Sequence, residues 1–146
     1  MNRTEQEELI DALNNDNNNE IMNLTKSKIK KVKNDILQSL YLPRQVLKDF
    51  HKRLKNYRYC DEMPNLTSGH YIRWISLKDP ENITLSNGAF YCDTEIKKKG
   101  MYVICRSGGG GYRGGGIFQL KFDECIFFQK LSDQEELILN IIDYLK

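Results

Sequence analysis

The residues best suited to chemistry are the cations of the stretch from Thr25 to Arg58. This stretch holds eleven Lys or Arg residues and two Asp residues, a net charge of +9, whereas the whole chain carries only +2. Its cations recur at intervals of three or four residues, which aligns them along one side of a helix about 5–6 Å apart. Such a row can follow the phosphates of a nucleic acid. Two rows have this spacing: Lys26, Lys30 and Lys33, and then Arg44, Lys48, Lys52 and Lys55.

The same charge has a less specific explanation, and the sequence leaves both open. Charged side chains often form the solvated outer face of an amphipathic helical pair. The ends of the chain are acidic, with a net charge of −5 over residues 1–24 and −3 over residues 117–146. Those ends, in this copy or in a second one, are the alternative partner of the basic stretch.

A glycine-rich segment after Arg106 is the second candidate surface. Seven of the ten glycines fall between residues 108 and 116, interrupted by Tyr112 and Arg113. Such a segment predicts a mobile loop between two strands. It resembles the Arg-Gly-Gly and Tyr-containing tracts of RNA-binding proteins, in which Arg pairs with phosphate and Tyr stacks on bases. An unspecialised hairpin tip is the alternative.

A third candidate surface lies around the only Trp of the chain. In a strand, Tyr71 and Arg73 share one face, and Ile72 and Trp74 share the other. We expect Trp74 to anchor the core, while Tyr71 and Arg73 could stack on and pair with an exposed nucleic-acid strand. With the cations that extend the basic helices, the candidate nucleic-acid-binding residues are Lys26, Lys30, Lys33, Arg44, Lys48, Lys52, Arg53, Lys55, Arg58, Arg73, Arg106, Tyr112 and Arg113.

Enzymatic and metal chemistry lack a recognisable pattern. The chain has no G-x-S-x-G, HExxH or Walker A motif, and we expect neither an enzyme nor a cofactor, although a site assembled only by folding stays open. No two cysteines form a CxxC pair, and each lies among apolar neighbours in a predicted strand. We therefore expect buried free thiols rather than zinc ligands or disulfides at Cys60, Cys92, Cys105 and Cys125.

The elements that position these residues predict an α+β fold in two parts. Apolar periodicity predicts an N-terminal helix capped by Thr4 and Glu7, a second helix over residues 20–41 and a third from Pro43 to Lys55. Residues 1–56 are expected to form this helical extension, acidic over 1–24 and basic over 25–56. Residues 57–146 are expected to form a small β-barrel-like domain with a C-terminal helix capped by Ser132 and Glu135.

The second part alternates apolar and polar residues in short runs separated by turns. These runs predict strands at residues 57–60, 70–77, 83–85, 89–96, 101–106, 117–122 and 125–129. Asn87-Gly88 and Lys97-Lys98-Lys99-Gly100 predict hairpin turns. Segments of this length favour an antiparallel meander sheet or a small, partly closed barrel.

Residues of the second part resemble a known group. The stretches GHYIRWISLKDPENITLSNGAFYCDTEI and FQLKFDECIFFQKLSDQEELILNIIDYL look like small uncharacterised proteins of giant nucleocytoplasmic DNA viruses. The resemblance covers about residues 57–146 and agrees with a composition rich in Lys, Ile and Asn, which have AT-rich codons. It implies an intracellular setting, in host cytoplasm or a virion, and carries over no functional residue.

Taken together, the sequence predicts a non-enzymatic, nucleic-acid-associated protein that binds the phosphate backbone with little sequence specificity. The alternative is a structural or protein–protein interaction module of a virion or viral assembly, in which the basic stretch binds itself or another acidic protein. No segment approaches the roughly 18 apolar residues that a membrane helix needs, so no membrane partner is expected.

Overall fold

A computed structural model describes residues 3–15, 18, 21, 24–108 and 116–145. Over these residues it has four α-helices and six β-strands, and the sequence prediction of an α+β fold with N-terminal helices, an antiparallel sheet and a C-terminal helix is confirmed. The helices are α1 (Arg3–Asn14), α2 (Lys26–Gln38), α3 (Arg44–Arg53) and α4 (Asp133–Tyr144). The strands are β1 (Tyr57–Cys60), β2 (Tyr71–Ser76), β3 (Ala89–Lys97), β4 (Gly100–Arg106), β5 (Ile117–Lys121) and β6 (Cys125–Lys130).

The chain divides into two compact units. One unit, called here the helical unit, contains residues 1–51 and 131–146, and the other, the sheet unit, contains residues 52–130. In the helical unit a small apolar core joins the three helices α1, α2 and α4 and includes Ala12, Ile21, Ile29, Ile138 and Leu139. The sequence analysis grouped α4 with the sheet, whereas in the structure α4 belongs to the helical unit.

Side-chain caps determine where two of the helices begin. The Thr25 hydroxyl accepts a hydrogen bond from the Lys28 amide at 3.1 Å, so α2 begins after Thr25 rather than near residue 20. Ser132 and Glu135 form the predicted capping box at α4, with hydrogen bonds of 2.9 and 3.1 Å. The expected cap at Thr4 is wrong, because α1 already includes Arg3 and Thr4.

The sheet is antiparallel throughout, with strand order β1-β6-β2-β3-β4-β5. Strands β2 to β5 form the predicted meander, and β6 returns to pair between β1 and β2. In the described residues β1 and β5 are the two edges, so the sheet is open and the barrel alternative is not the one that forms. Its core includes Cys60, Leu66, Ile72, Ala89, Tyr91, Val103, Cys105 and Phe127.

The two predicted hairpin turns have different outcomes. Lys97 pairs with Gly100 across a two-residue turn, and Gly100 has a φ of +139°, as the sequence predicts. Asn87-Gly88 is not a hairpin turn. Ile75 pairs with Leu85 and Ile72 with Ala89, so Gly88 lies in an irregular, bulge-like stretch beside β2. The predicted strand at 83–85 is reduced to the single bridge at Leu85.

Gly88 and Gly69 provide a matched test of the close packing around Tyr71. Both glycines have a positive φ, +105° and +87°, but a Cβ at Gly88 would overlap the Tyr71 ring, whereas one at Gly69 would meet nothing within 4 Å. We expect Gly69→Ala to lower the free energy of unfolding by about 1 kcal/mol through backbone strain alone. Gly88→Ala should lower it by about 2–4 kcal/mol, because strain and overpacking add. Urea denaturation measures both values, and equal losses would contradict the close packing.

Candidate nucleic-acid interface

The cations of α2 divide between surface and interior. Lys26 and Lys30 are exposed, whereas Lys33 is only 5% exposed. Lys33 lies four residues after Ile29 and four before Leu37, and all three side chains are buried. The predicted row of Lys26, Lys30 and Lys33 therefore ends in the interior, because it runs beside the apolar stripe of the same helix. Lys33 is removed from the candidate interface.

Burial and the nearby charge of Lys30 lower the pKa of Lys33 from 10.5 to about 8. The neighbouring His51 on α3 has its Nε2 atom 3.1 Å from Oδ1 of Asn34 on α2. Burial, and then the positive charge of Lys33, lower the pKa of His51 below its ordinary value. A positive charge on Lys33 therefore lowers the stability of the folded chain, and it is not available to a ligand at the surface.

The cations of α3 follow the sequence prediction more closely. Arg44, Lys48 and Lys52 are exposed, and their helical positions are on the side opposite the buried Phe50. Lys55 is exposed just beyond the helix end. The row on α3 therefore faces solvent, as the spacing of four residues predicts.

Six exposed cations on α2 and α3 form no ion pair with any carboxylate in the part of the chain that the structure describes. By contrast, Lys31 on α2 is 3.2 Å from Asp35. The sequence analysis did not select Lys28, which belongs to neither row but is exposed on α2. The helical cations, as this set is called below, are Lys26, Lys28, Lys30, Arg44, Lys48 and Lys52.

Two arginines, Arg53 at the end of α3 and Arg58 in β1, make hydrogen bonds within the sheet unit. The Arg53 guanidinium donates a hydrogen bond to the Leu85 carbonyl at 3.2 Å. Arg58 is only 4% exposed and donates to the Asn65 carbonyl at 2.7 Å and to Cys60 Sγ at 3.5 Å. Arg58 therefore stabilises the loop that follows β1, and its buried guanidinium is not available to a polyanion.

Arg73 and Trp74 lie on opposite faces of β2, as the sequence predicts, but part of the Arg73 guanidinium is buried. The Arg73 guanidinium lies over the Tyr57 ring, 5.5 Å from its centroid, and Nε and Nη1 of Arg73 are buried without a hydrogen-bond partner among the described residues. On the opposite face, Trp74 is half-buried and packs against the sheet core, 5.7 Å from the Phe118 ring. Arg73 thus lies against the sheet rather than projecting from it.

A row of cation and aromatic side chains crosses three strands at the base of the glycine-rich segment. Arg106 pairs with Phe90, and Phe90 pairs with Tyr71, so all three side chains share one face. The exposed Arg106 lies 5.7 Å from the Phe90 centroid, and the Phe90 and Tyr71 rings meet edge-on at 5.1 Å. The sequence analysis missed Phe90, because only the strand register reveals it.

The glycine-rich segment begins beside this row. The Ser107 amide donates a hydrogen bond to the Gly116 carbonyl at 3.0 Å, which closes the base of the segment. A Cβ on Gly108 would lie 3.0 Å from the Phe90 ring, so glycine permits the close approach there. Tyr112 and Arg113 lie outside the described residues.

The cysteines are free, and Cys60 and Cys105 are buried, whereas Cys92 and Cys125 are half-buried. Burial raises the pKa of the Cys105 thiol to about 12, so this thiol is neutral at physiological pH. Among the described residues, no group of three or more His, Cys, Asp or Glu side chains is arranged to hold a metal ion.

An acidic groove lies between α1 and α4 in the helical unit. It has a volume of about 530 Å³ and is lined by Glu8 and Asp11 of α1 and by Asp133 and Glu136 of α4. These four side chains are acidic, and no Lys or Arg that the structure describes lines the groove. None of the described helices is long and apolar enough to cross a bilayer.

Comparisons of the chain with protein-family models, with curated proteins and with solved structures give no match.

The lowered pKa of Lys33 predicts a pH dependence of stability. Between about 8 and 10.5 the unfolded chain binds more protons than the folded chain, so the contribution of Lys33 to stability rises with pH across this window. Lys33→Met lacks this contribution. We expect the stability of the native chain relative to Lys33→Met to increase by about 1–2 kcal/mol between roughly pH 7 and pH 10. Urea denaturation at the two pH values measures the difference, and a constant difference would show that Lys33 titrates normally.

Proposed function

We propose that this chain binds the phosphate backbone of nucleic acid with little sequence specificity and without catalysis. The observation that carries the proposal is the set of helical cations, which are exposed and make no ion pair with a described carboxylate. Unpaired surface cations attract phosphates, and the release of condensed counterions from the nucleic acid drives their association.

The row of Arg106, Phe90 and Tyr71 supports the same proposal from the sheet unit. Arginine beside aromatic rings is the combination that contacts phosphates and unstacked bases together. No motif for reading base edges accompanies it in the sequence. Binding through these residues therefore positions nucleic acid without selecting its sequence.

The salt dependence of binding tests the role of the helical cations. If about five phosphates are engaged on duplex DNA, the logarithm of the binding constant should fall against the logarithm of salt concentration with a slope of about −4.5. We expect the triple variant K26Q/K30Q/K48Q to bind more weakly and to reduce the slope by about 2–3, since each lost phosphate contact removes about 0.9. Fluorescence anisotropy with duplex DNA, single-stranded DNA and RNA measures these slopes.

The matched control is K31Q/K97Q/K98Q, which removes the same net charge. Lys31 and Lys97 are already paired with Asp35 at 3.2 Å and Glu95 at 3.4 Å, and Lys98 lies in the hairpin turn. The control should keep most of the slope of the native chain. An equal loss in both variants would mean that only net charge matters, and no binding of any of the three nucleic acids at low salt would refute the proposal.

The interaction-module alternative is favoured by the acidic groove of Glu8, Asp11, Asp133 and Glu136. Light scattering distinguishes the two functions. Salt-sensitive self-association, without binding to nucleic acid, would support the alternative. A single oligomeric state at all salt concentrations, with binding to nucleic acid, would support the proposal.

A further inference from the structure

A pocket at one end of the sheet unit collects positive charge outside the helices. It has a volume of about 350 Å³ and lies beside the tip of the β3–β4 hairpin, at the ends of β2 and β5. This volume falls within the range of pockets that hold small molecules. The polar residues that line it include Ser76, Lys78, Lys99, Tyr102, Gln119 and Lys121.

Two carboxylates near this pocket are paired with lysines, whereas two lysines that line it are not paired. Lys78 pairs with Glu124 at 3.2 Å, and Lys97 pairs with Glu95 at 3.4 Å. Lys99 and Lys121 make no ion pair with any carboxylate that the structure describes. The residues that line the pocket therefore carry a net charge of +2, from three lysines and Glu124, and the Asp123 carboxylate lies near Cys125 at its edge.

The neutral polar groups of the pocket present hydrogen-bond donors. Oε1 of Gln119 accepts a hydrogen bond from Lys97 at 2.5 Å, which leaves the amide NH₂ group as a donor. Oγ of Ser76 accepts from the Lys78 amide at 3.4 Å, which leaves its hydroxyl hydrogen to donate. Tyr102 also lines the pocket and carries a hydroxyl, which can donate a hydrogen bond.

Two features of the sheet bring Lys121 and Tyr102 to this place. They are direct partners across β4 and β5, so their side chains share one face. A Cβ on Gly100 would lie 3.0 Å from Cε of Lys121, so the absence of a side chain at Gly100 leaves room for the lysine stem. Burial and the adjacent Glu124 raise the pKa of the Cys125 thiol in the same pocket to about 11, so this thiol adds no negative charge.

We propose that this pocket binds the phosphate monoester group of a small molecule through Lys99 and Lys121, with Gln119, Ser76 and Tyr102 as hydrogen-bond donors. A phosphate monoester carries a charge of about −1.5 to −2 at neutral pH and three acceptor oxygens, which matches two lysines and a wall of donors. The pocket is in the sheet unit and shares no residue with the helical cations. The proposal therefore goes beyond nucleic-acid binding and does not depend on it.

Calorimetric titration of the full chain with inorganic phosphate, ribose 5-phosphate and ribose tests the proposal. We expect both phosphate compounds to bind and ribose not to bind. Binding of ribose 5-phosphate should tighten between about pH 5 and pH 7.5, because the phosphate loses its second proton near pH 6. Binding of ribose 5-phosphate but not inorganic phosphate would also support the pocket, with the sugar contributing affinity.

Variants separate this pocket from general surface charge. K99Q/K121Q should weaken binding of ribose 5-phosphate by roughly tenfold or more, because two charge-assisted hydrogen bonds are lost. K98Q/K130Q removes the same charge from the hairpin turn and the end of β6, where neither lysine lines the pocket, and should change binding by about twofold or less. The proposal fails if the native chain binds neither phosphate compound, or if both double variants lose affinity equally.

Nucleic-acid binding by the same variants keeps the two proposals distinguishable. K99Q/K121Q should retain the salt slope of the native chain for duplex DNA, and K26Q/K30Q/K48Q should retain the affinity for ribose 5-phosphate. Loss of ribose 5-phosphate binding in K26Q/K30Q/K48Q would contradict binding at this pocket. The nucleic-acid proposal would then still be decided by the salt dependence of DNA binding. Thermal unfolding of each variant confirms that it is folded before titration.

Discussion

Six cations on α2 and α3 stand exposed without an ion-pair partner among the described carboxylates, and the proposed function depends on that uncompensated charge. By contrast, Lys31 on α2 and Lys78 and Lys97 in the sheet unit each pair with a neighbouring Asp or Glu. Placing several cations on one helix costs free energy, because like charges repel one another. A polyanion removes that repulsion and releases its own counterions, so the arrangement gains most from a phosphate backbone.

The interior of the helical unit limits how much of the basic stretch can take part. Lys33 shares its line on α2 with Ile29 and Leu37, and burial of that line carries its ammonium group out of water. The cost of this burial is reflected in its lowered pKa. In the sheet unit, Arg58 likewise donates its guanidinium hydrogen bond to the Asn65 carbonyl. The proposed interface therefore contains fewer cations than the sequence supplies.

Local sequence signals predicted much of the fold. The Ser132 and Glu135 capping box, the two-residue turn before Gly100 and most strand positions follow from interactions between residues close in sequence. The signals that failed depend on distant partners. Asn87-Gly88 has the composition of a hairpin turn, but β2 continues alongside it, and Gly88 is instead required by the Tyr71 ring. The partner of α4 also depends on tertiary packing, which helical periodicity does not reveal.

The candidate sites also divide into features that follow from residues close in sequence and features that depend on distant partners. Helical spacing correctly placed Arg44, Lys48 and Lys52 on an exposed face, because that spacing is a property of the helix alone. It could not show that Lys33 is buried, because both faces of α2 carry lysines. The row of Arg106, Phe90 and Tyr71, like the pocket of Lys99 and Lys121, exists only through strand register. No spacing rule joins residues brought together from separate strands.

Lysine footprinting of the full chain with bound nucleic acid tests the central claim most directly. The chain is acetylated with and without duplex DNA at low salt, and the modification of each lysine is measured by mass spectrometry. The account predicts that Lys26, Lys28, Lys30 and Lys48 are protected by the DNA, while Lys31 and Lys98 react as they do without it. Equal protection of all lysines, or protection confined to the β3–β4 hairpin, would contradict the claim that the helical cations bind the phosphates.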